Sequence, residues 1–194
     1  MRIRTQSGVL VSLAQPDPSS IDIRDIACHL SRINRFLGAT MFPISVAQHS
    51  VNVAHLLAIR GADAMTQLIG LLHDAHEAYM GDVPTPVGEA LEQIAGIDAV
   101  SILKHRIDAA IARRFHLQPE PPRIRAVAAA DRSMLAGEWR DLMPGPCPID
   151  ADPPPFAIKP ARADRAEEQF LAAFARLQLA DGTAHHPAPS GIIK

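Results

Sequence analysis

Aromatic side chains are scarce, only 4% of a 194-residue chain, which argues against a stacking platform for single-stranded nucleic acid. Charge of one sign is missing as well. Lys and Arg total 19 against 21 Asp and Glu, a net charge of -2, so no basic field exists to grip a long nucleic acid. Cysteine is limited to Cys28 and Cys147. They form neither a metal-finger spacing nor a disulfide framework, and reduced thiols in a cytoplasmic protein are expected. No run approaches ~20 uninterrupted apolar residues, so no membrane span is expected. The stretch Met1 to Gln15 holds Arg2 and Arg4 but lacks the apolar run and small-residue cleavage signal of a leader. What is present is ordinary for a globular domain with a sizeable core: 47% apolar and 21% charged residues. A small anionic substrate remains compatible, because a few arginines and a metal can hold phosphate locally.

The pattern along the chain predicts an all-α domain over residues 1–180 with a small N-terminal β element, followed by a frayed tail over 181–194. Arg2 to Leu13 reads as a short strand or hairpin around Ser7-Gly8. Helices are predicted over about Asp22–Phe36, from Ser45 as cap to Arg60, over Ala64–Tyr79, weakly over Val87–Ile94, over Asp98–Phe115, from the Pro119/Pro121/Pro122 group to Met143, and over Ala163–Leu179. Gly81 to Pro86 reads as a rigid loop. The stretch Pro144 to Pro160 contains seven prolines and reads as a loop or extended arm, either a lid or a subunit arm.

Three helices place polar groups on apolar faces. His49 lies one turn from Val46 and Val53. Leu68, Ile69 and Leu72 lead directly into His73-Asp74. Asp131 falls on a stripe of Ile124, Val127, Ala128, Leu135 and Trp139. A lone buried carboxylate is costly, and one shared divalent metal satisfies all of these groups at once. Two imidazoles and two carboxylates make a mixed N/O site suited to Mn, Fe, Co, Ni or Zn rather than Ca or Mg. Glu77 follows His73 by four residues and Asp74 by three, so it shares their helix face and can move protons for an attacking water. His76 is either a phosphate or outer contact or a solvent-facing residue. Each of these residues taken singly also has an ordinary structural role; their joint presence favours the metal. The order His-x-x-His-Glu does not match the zinc-peptidase motifs.

The strings Ser45-Val-Ala-Gln-His-Ser50 and Leu72-His-Asp-Ala-His-Glu-Ala-Tyr-Met-Gly-Asp-Val-Pro-Thr-Pro-Val87 resemble the HD-domain metal-dependent phosphohydrolases. The likeness is to the branch containing bacterial 5′-deoxynucleotidases and phage deoxyadenosine-triphosphate triphosphohydrolases, and it covers about Asp22 to Met143. The resemblance implies an HD-type helical bundle with one divalent transition metal (Co, Mn, Zn, Fe or Ni) held by His49, His73, Asp74 and Asp131. It makes Glu77 the catalytic acid/base, Asp82 a contact to the sugar, and Arg35 the phosphate grip; from the sequence alone Arg35 could be a surface residue compensating a helix end. Gly88 stands where the deoxynucleotidases commonly carry a lysine, so one phosphate contact is missing or supplied elsewhere. Thr5-Gln-Ser-Gly8, Asp25-Ile-Ala-Cys-His-Leu-Ser31, Asp131-Arg132 and Glu138-Trp-Arg-Asp-Leu-Met143 look closer to the phage-type branch.

The implied reaction is hydrolysis of a small deoxynucleotide, either a monophosphate to nucleoside and phosphate or a triphosphate to nucleoside and triphosphate. A non-catalytic nucleotide sensor, a structural metal bundle, and a cyclic-nucleotide or alarmone hydrolase of the same superfamily are the competing readings. The resemblance also implies a homo-oligomer. The last helix, with Ala166, Phe170, Ala173, Phe174 and Leu177 on one stripe, packs either on its own core or as a dimer face.

Overall fold

The structure is a computed structural model and describes residues 1–182. It is mostly helical with one small N-terminal sheet. Strands β1 (Arg2–Arg4) and β2 (Leu10–Ser12) pair antiparallel with Ile3 opposite Val11. The hairpin tip is tied down by polar groups that the apolar pattern does not reveal. Asp25, buried, accepts from the Ser7 backbone N–H at 2.8 Å and from Ser7 Oγ at 2.7 Å. His29 Nε2 accepts from the Gln6 N–H at 3.1 Å, which leaves Nδ1–H to donate to the Ala78 carbonyl at 2.7 Å.

Helices follow as α1 (Ile23–Arg32), α2 (Val46–Ile59), α3 (Ala64–Leu72), the single turn α4 (Glu77–Met80), α5 (Thr85–Ala95), α6 (Ala99–Arg114), α7 (Pro121–Leu142) and α8 (Ala163–Ala180). Four of their starts are fixed by side-chain caps. Asp22, Ser45, Asp63 and Asp98 accept from the N–H groups of Arg24, Gln48, Thr66 and Ser101, each satisfying a donor the helix cannot use.

Two buried apolar clusters flank a central pair of helices. One gathers Ile26, Leu30, Leu68, Leu71, Ile107, Phe170 and Phe174; the other gathers Ile44, Leu56, Leu57, Met65, Met134 and Ile158. α2 and α3 contribute to both clusters. They approach closely at Gly70, where an added Cβ would lie 2.3 Å from a Leu57 methyl. Burial of this kind contributes roughly 25 cal/mol per Å² of apolar surface, and the centre of the fold places His49 on α2 and His73 at the end of α3. The stripe of α8 packs against this core, burying Ala166, Phe170, Phe174 and Leu177.

Four expectations need correction. The first helix stops at Arg32, because Ile33 turns extended (φ -90, ψ 118) and the chain pairs Asn34 with Ser45 in an antiparallel bridge. The third helix does not run through to Tyr79. It ends at Leu72, and residues 73–76 form tighter turns with Ala75 N–H on Leu72 O and Glu77 N–H on Asp74 O, each at 3.0 Å. The weak helix predicted over Val87–Ile94 is longer and starts inside the expected loop, since Pro86 sits in the first turn, where no backbone donor is needed. The stripe on α7 is only partly core: Val127 is buried, whereas Ile124 and Ala128 are exposed and Leu135 and Trp139 half-buried. These side chains wall the cavities on either side of Asp131.

The proline-rich stretch is a strap laid back on the molecule. Pro154 packs on Gly137, where a Cβ would stand 2.5 Å from the proline ring. Asp141 accepts from the Ile158 N–H, Arg140 donates to the carbonyls of Pro154 and Phe156, and Gln48 bonds both Lys159 O and the Ala161 N–H. The expected tail begins as a turn at Asp181 and Gly182, and its remaining residues, 183–194, lie outside the described residues.

Candidate metal centre

The apolar faces of α2, α3 and α7 bring their polar exceptions to one point. His49 projects from α2 and is fully buried. His73 and Asp74 lie in the turn after α3, and Asp131 comes from α7. His49 Nε2 is 3.0 Å from Asp131 Oδ1 and 3.8 Å from Asp74 Oδ2; His73 Nε2 is 3.1 Å from Asp74 Oδ2 and 3.6 Å from Asp131 Oδ1. Donors ~2.1 Å from one ion stand ~3.0 Å apart at right angles and ~3.4 Å apart at tetrahedral angles. The observed separations bracket those values. His49, His73 and Asp74 alone offer atoms all within 4.8 Å of one another, close enough to hold a metal ion.

The tautomers agree with that use. His73 Nδ1 is 2.8 Å from the Gly70 carbonyl, which can only accept, so Nδ1 carries the proton. His49 Nδ1 is 2.7 Å from Glu138 Oε1, a carboxylate that is itself fully buried. In the neutral tautomer these bonds favour, each Nε2 turns its lone pair toward carboxylate oxygens, and both Nε2 atoms are buried without a hydrogen bond. That arrangement needs positive charge between imidazole and carboxylate, either a proton on Nε2 or a metal ion. A backbone carbonyl or carboxylate behind each imidazole is also what orients ligating histidines and raises their basicity.

Electrostatics report the same surplus of negative charge. Burial disfavours a charged His73, but Asp74 and Asp131 outweigh it and push its pKa up to about 10. Burial and the Arg35 cation oppose a charged His49, yet Glu138 and Asp131 raise its pKa as well. Burial works against ionised Asp74 and Asp131, but the two imidazoles hold both carboxyls well below their usual range. Glu77 behaves oppositely. Burial, then the charges of Asp74 and Asp82, push its carboxyl up to about 9.

A cavity of about 550 Å³ opens over these groups, lined by Arg35, Asp74, Glu77, Asp82 and Asp131 among others, a volume suited to a small molecule. Arg35 lies in a short turn over Arg35–Gly38 where Phe36 and Leu37 hold left-handed backbone (φ 55 and 52), a conformation uncommon for such residues. It is no exposed helix-end residue: its guanidinium donates through Nε to Glu138 at 3.0 Å and lies 3.6 Å from Asp74. Phe36 stands edge-on to Trp139, centroids 6.1 Å apart, in the cavity wall. His76 is buried and also lines the cavity, with Nδ1 3.1 Å from Asp108 Oδ1. Asp82 is half-buried there, its pKa raised by burial against the pull of Arg35.

Relatives among known proteins match this chain over most of its length. Uncharacterized protein YfdR of Escherichia coli K12 is 36% identical over 140 residues, 72% of this chain and 71% of that protein. The chain belongs to the YfdR family. Uncharacterized protein RCAP_rcc00048 of Rhodobacter capsulatus is 39% identical over 135 residues, 66% of each chain. No protein-family model matches.

All eight residues singled out from the sequence lie in or directly beneath this one site of the YfdR-family chain. Three others were not foreseen. Glu138 stands seven residues after Asp131, two turns along the same face of α7, and that spacing within an apolar run was the available signal. Asp108 and Lys104, both from α6, reach the site only through tertiary packing. Among the described residues no helix is long and apolar enough to cross a membrane.

Proposed function

We propose that the protein is an HD-type, metal-dependent phosphohydrolase acting on small deoxynucleotides, as a 5′-deoxynucleotidase or a deoxynucleoside triphosphate triphosphohydrolase. One observation carries the reading. Each of two histidine Nε2 atoms lies 3.0–3.8 Å from both of two carboxylates, beneath a cavity that Glu77 and Arg35 also line. The donor set suits a single Co, Mn, Zn, Fe or Ni ion, which when bound supplies Lewis acidity toward a phosphate oxygen and toward water.

The chain's own groups divide the remaining work. Glu77 Oε2 is buried without a hydrogen bond in the cavity wall. A carboxyl that holds its proton to about pH 9 without a cation falls toward neutrality when positive charge is added beside Asp74, which suits a group that must both take and give a proton. Water attacks phosphorus, the bond to the leaving oxygen breaks, and Glu77 manages the proton. Arg35, clamped by Glu138 and Asp74, offers a fixed positive charge to the developing phosphate charge. Asp82 presents a carboxylate able to accept a hydrogen bond from a sugar hydroxyl. Phe36 and Trp139 provide an apolar wall for the rest of the nucleotide.

The test is product analysis of protein loaded with Co, Mn or Zn against deoxynucleoside mono- and triphosphates and their ribo counterparts. Inorganic phosphate released from monophosphates marks a nucleotidase, and triphosphate released from triphosphates marks a triphosphohydrolase. No release from any of them at full metal occupancy overturns the proposal.

A further inference from the structure

Carboxyl groups dominate the site cavity. Asp74, Glu77, Asp82 and Asp131 line it, against Arg35 and Lys104. The two cations are not equivalent. Arg35 is committed to Glu138 and Asp74. Lys104, half-buried on α6, makes no ion pair and no hydrogen bond among the described residues. Its neighbour one turn on, Asp108, faces His76 instead. Lys104 also occupies a junction. It lines the 550 Å³ cavity and, with Asp131, a second cavity of about 340 Å³ walled by Ile69, Leu72, Ile124 and Val127.

A partly buried ammonium among carboxylates, yet paired with none, is poised to meet an incoming anion. We infer that Lys104 is a second phosphate-binding cation of this site, beside Arg35: its ammonium reaches from α6 to non-bridging oxygens of a phosphate held over Asp74 and Asp131. The ligand class is a phosphate or phosphomonoester oxyanion. The inference rests on the proposed phosphohydrolase reading for its substrate but not for its anion site.

Binding of inorganic phosphate and of a deoxynucleoside monophosphate to Co-loaded protein by calorimetry tests this, with Lys104→Gln and Lys104→Arg beside wild type and metal content measured in all three. A charge-assisted contact predicts a loss of roughly tenfold or more in phosphate affinity for Lys104→Gln, substantial recovery in Lys104→Arg, and unchanged metal content. If turnover occurs, KM rises more than kcat falls. Phosphate affinity within twofold of wild type in Lys104→Gln overturns the inference, and leaves the phosphohydrolase reading standing if that variant still hydrolyses nucleotides. Lys104-dependent phosphate binding in a protein that hydrolyses none of the nucleotides supports the inference while the phosphohydrolase reading fails.

Discussion

Glu138→Gln isolates the least visible part of the site. The Glu138 carboxylate is fully buried and takes the His49 Nδ1–H at 2.7 Å and the Arg35 Nε–H at 3.0 Å. Its charge helps raise the His49 pKa. Glutamine keeps the shape but has one acceptor oxygen. Whichever partner keeps that oxygen, the other meets an amide NH₂, donor against donor. Losing one charge-assisted bond of this kind costs about 1.5–3 kcal/mol. Replacing the carboxylate behind a ligating histidine typically lowers metal affinity 10- to 100-fold, about 1.4–2.7 kcal/mol. Competition for Co or Zn between the protein and a chelating dye at pH 7.5 reads this loss, with circular dichroism to show that the helices persist. An affinity within twofold of wild type in a folded variant would refute the claim that Glu138 tunes His49 as a ligand.

Glu77→Ala should retain the metal and lose turnover by at least about 100-fold; wild-type rates would move the proton transfer to another group. Stability of the metal-stripped protein should fall as pH rises from 7 to 9, as read by thermal melts. His73 and Glu77 have folded pKa values of about 10 and about 9, above their ordinary ~6.5 and ~4.3. Each therefore contributes stability that is full below its ordinary value and is lost as pH climbs toward its folded one. Asp74 and Asp131, held low, are ionised throughout that window and do not change the sign. A melting temperature that rises over pH 7–9 would contradict the charge surplus. Gly137→Ala places a Cβ 2.5 Å from the Pro154 ring and should cost about 1–3 kcal/mol by overpacking; an unchanged denaturation midpoint would show that the strap yields freely there.

The helical framework was legible because apolar periodicity agrees with a side-chain cap in α2 and α6, with prolines in the first turn of α7, and is itself clear in α8. The donors His49, His73, Asp74 and Asp131 were legible for the complementary reason: each interrupts an apolar face with a group too polar to be left there alone. The break after Leu72 was not, because His73 and His76 keep near-helical backbone within a helix-like pattern. The turn tightens when the His73 ring takes the Gly70 carbonyl, a competition between side chain and backbone. Arg35 illustrates another limit. Its burial depends on an extended bridge between Asn34 and Ser45 and on a carboxylate 103 positions away. Lys104 and Asp108 were hidden because no sequence spacing relates α6 to the His-Asp turn.

The measurement that bears most directly on the account is elemental analysis of purified wild type and Asp74→Ala. The account predicts about one divalent transition metal per chain in the wild type and its loss in the variant. Equal metal content in the two proteins, or no binding of Co, Mn or Zn by the wild type, would contradict it.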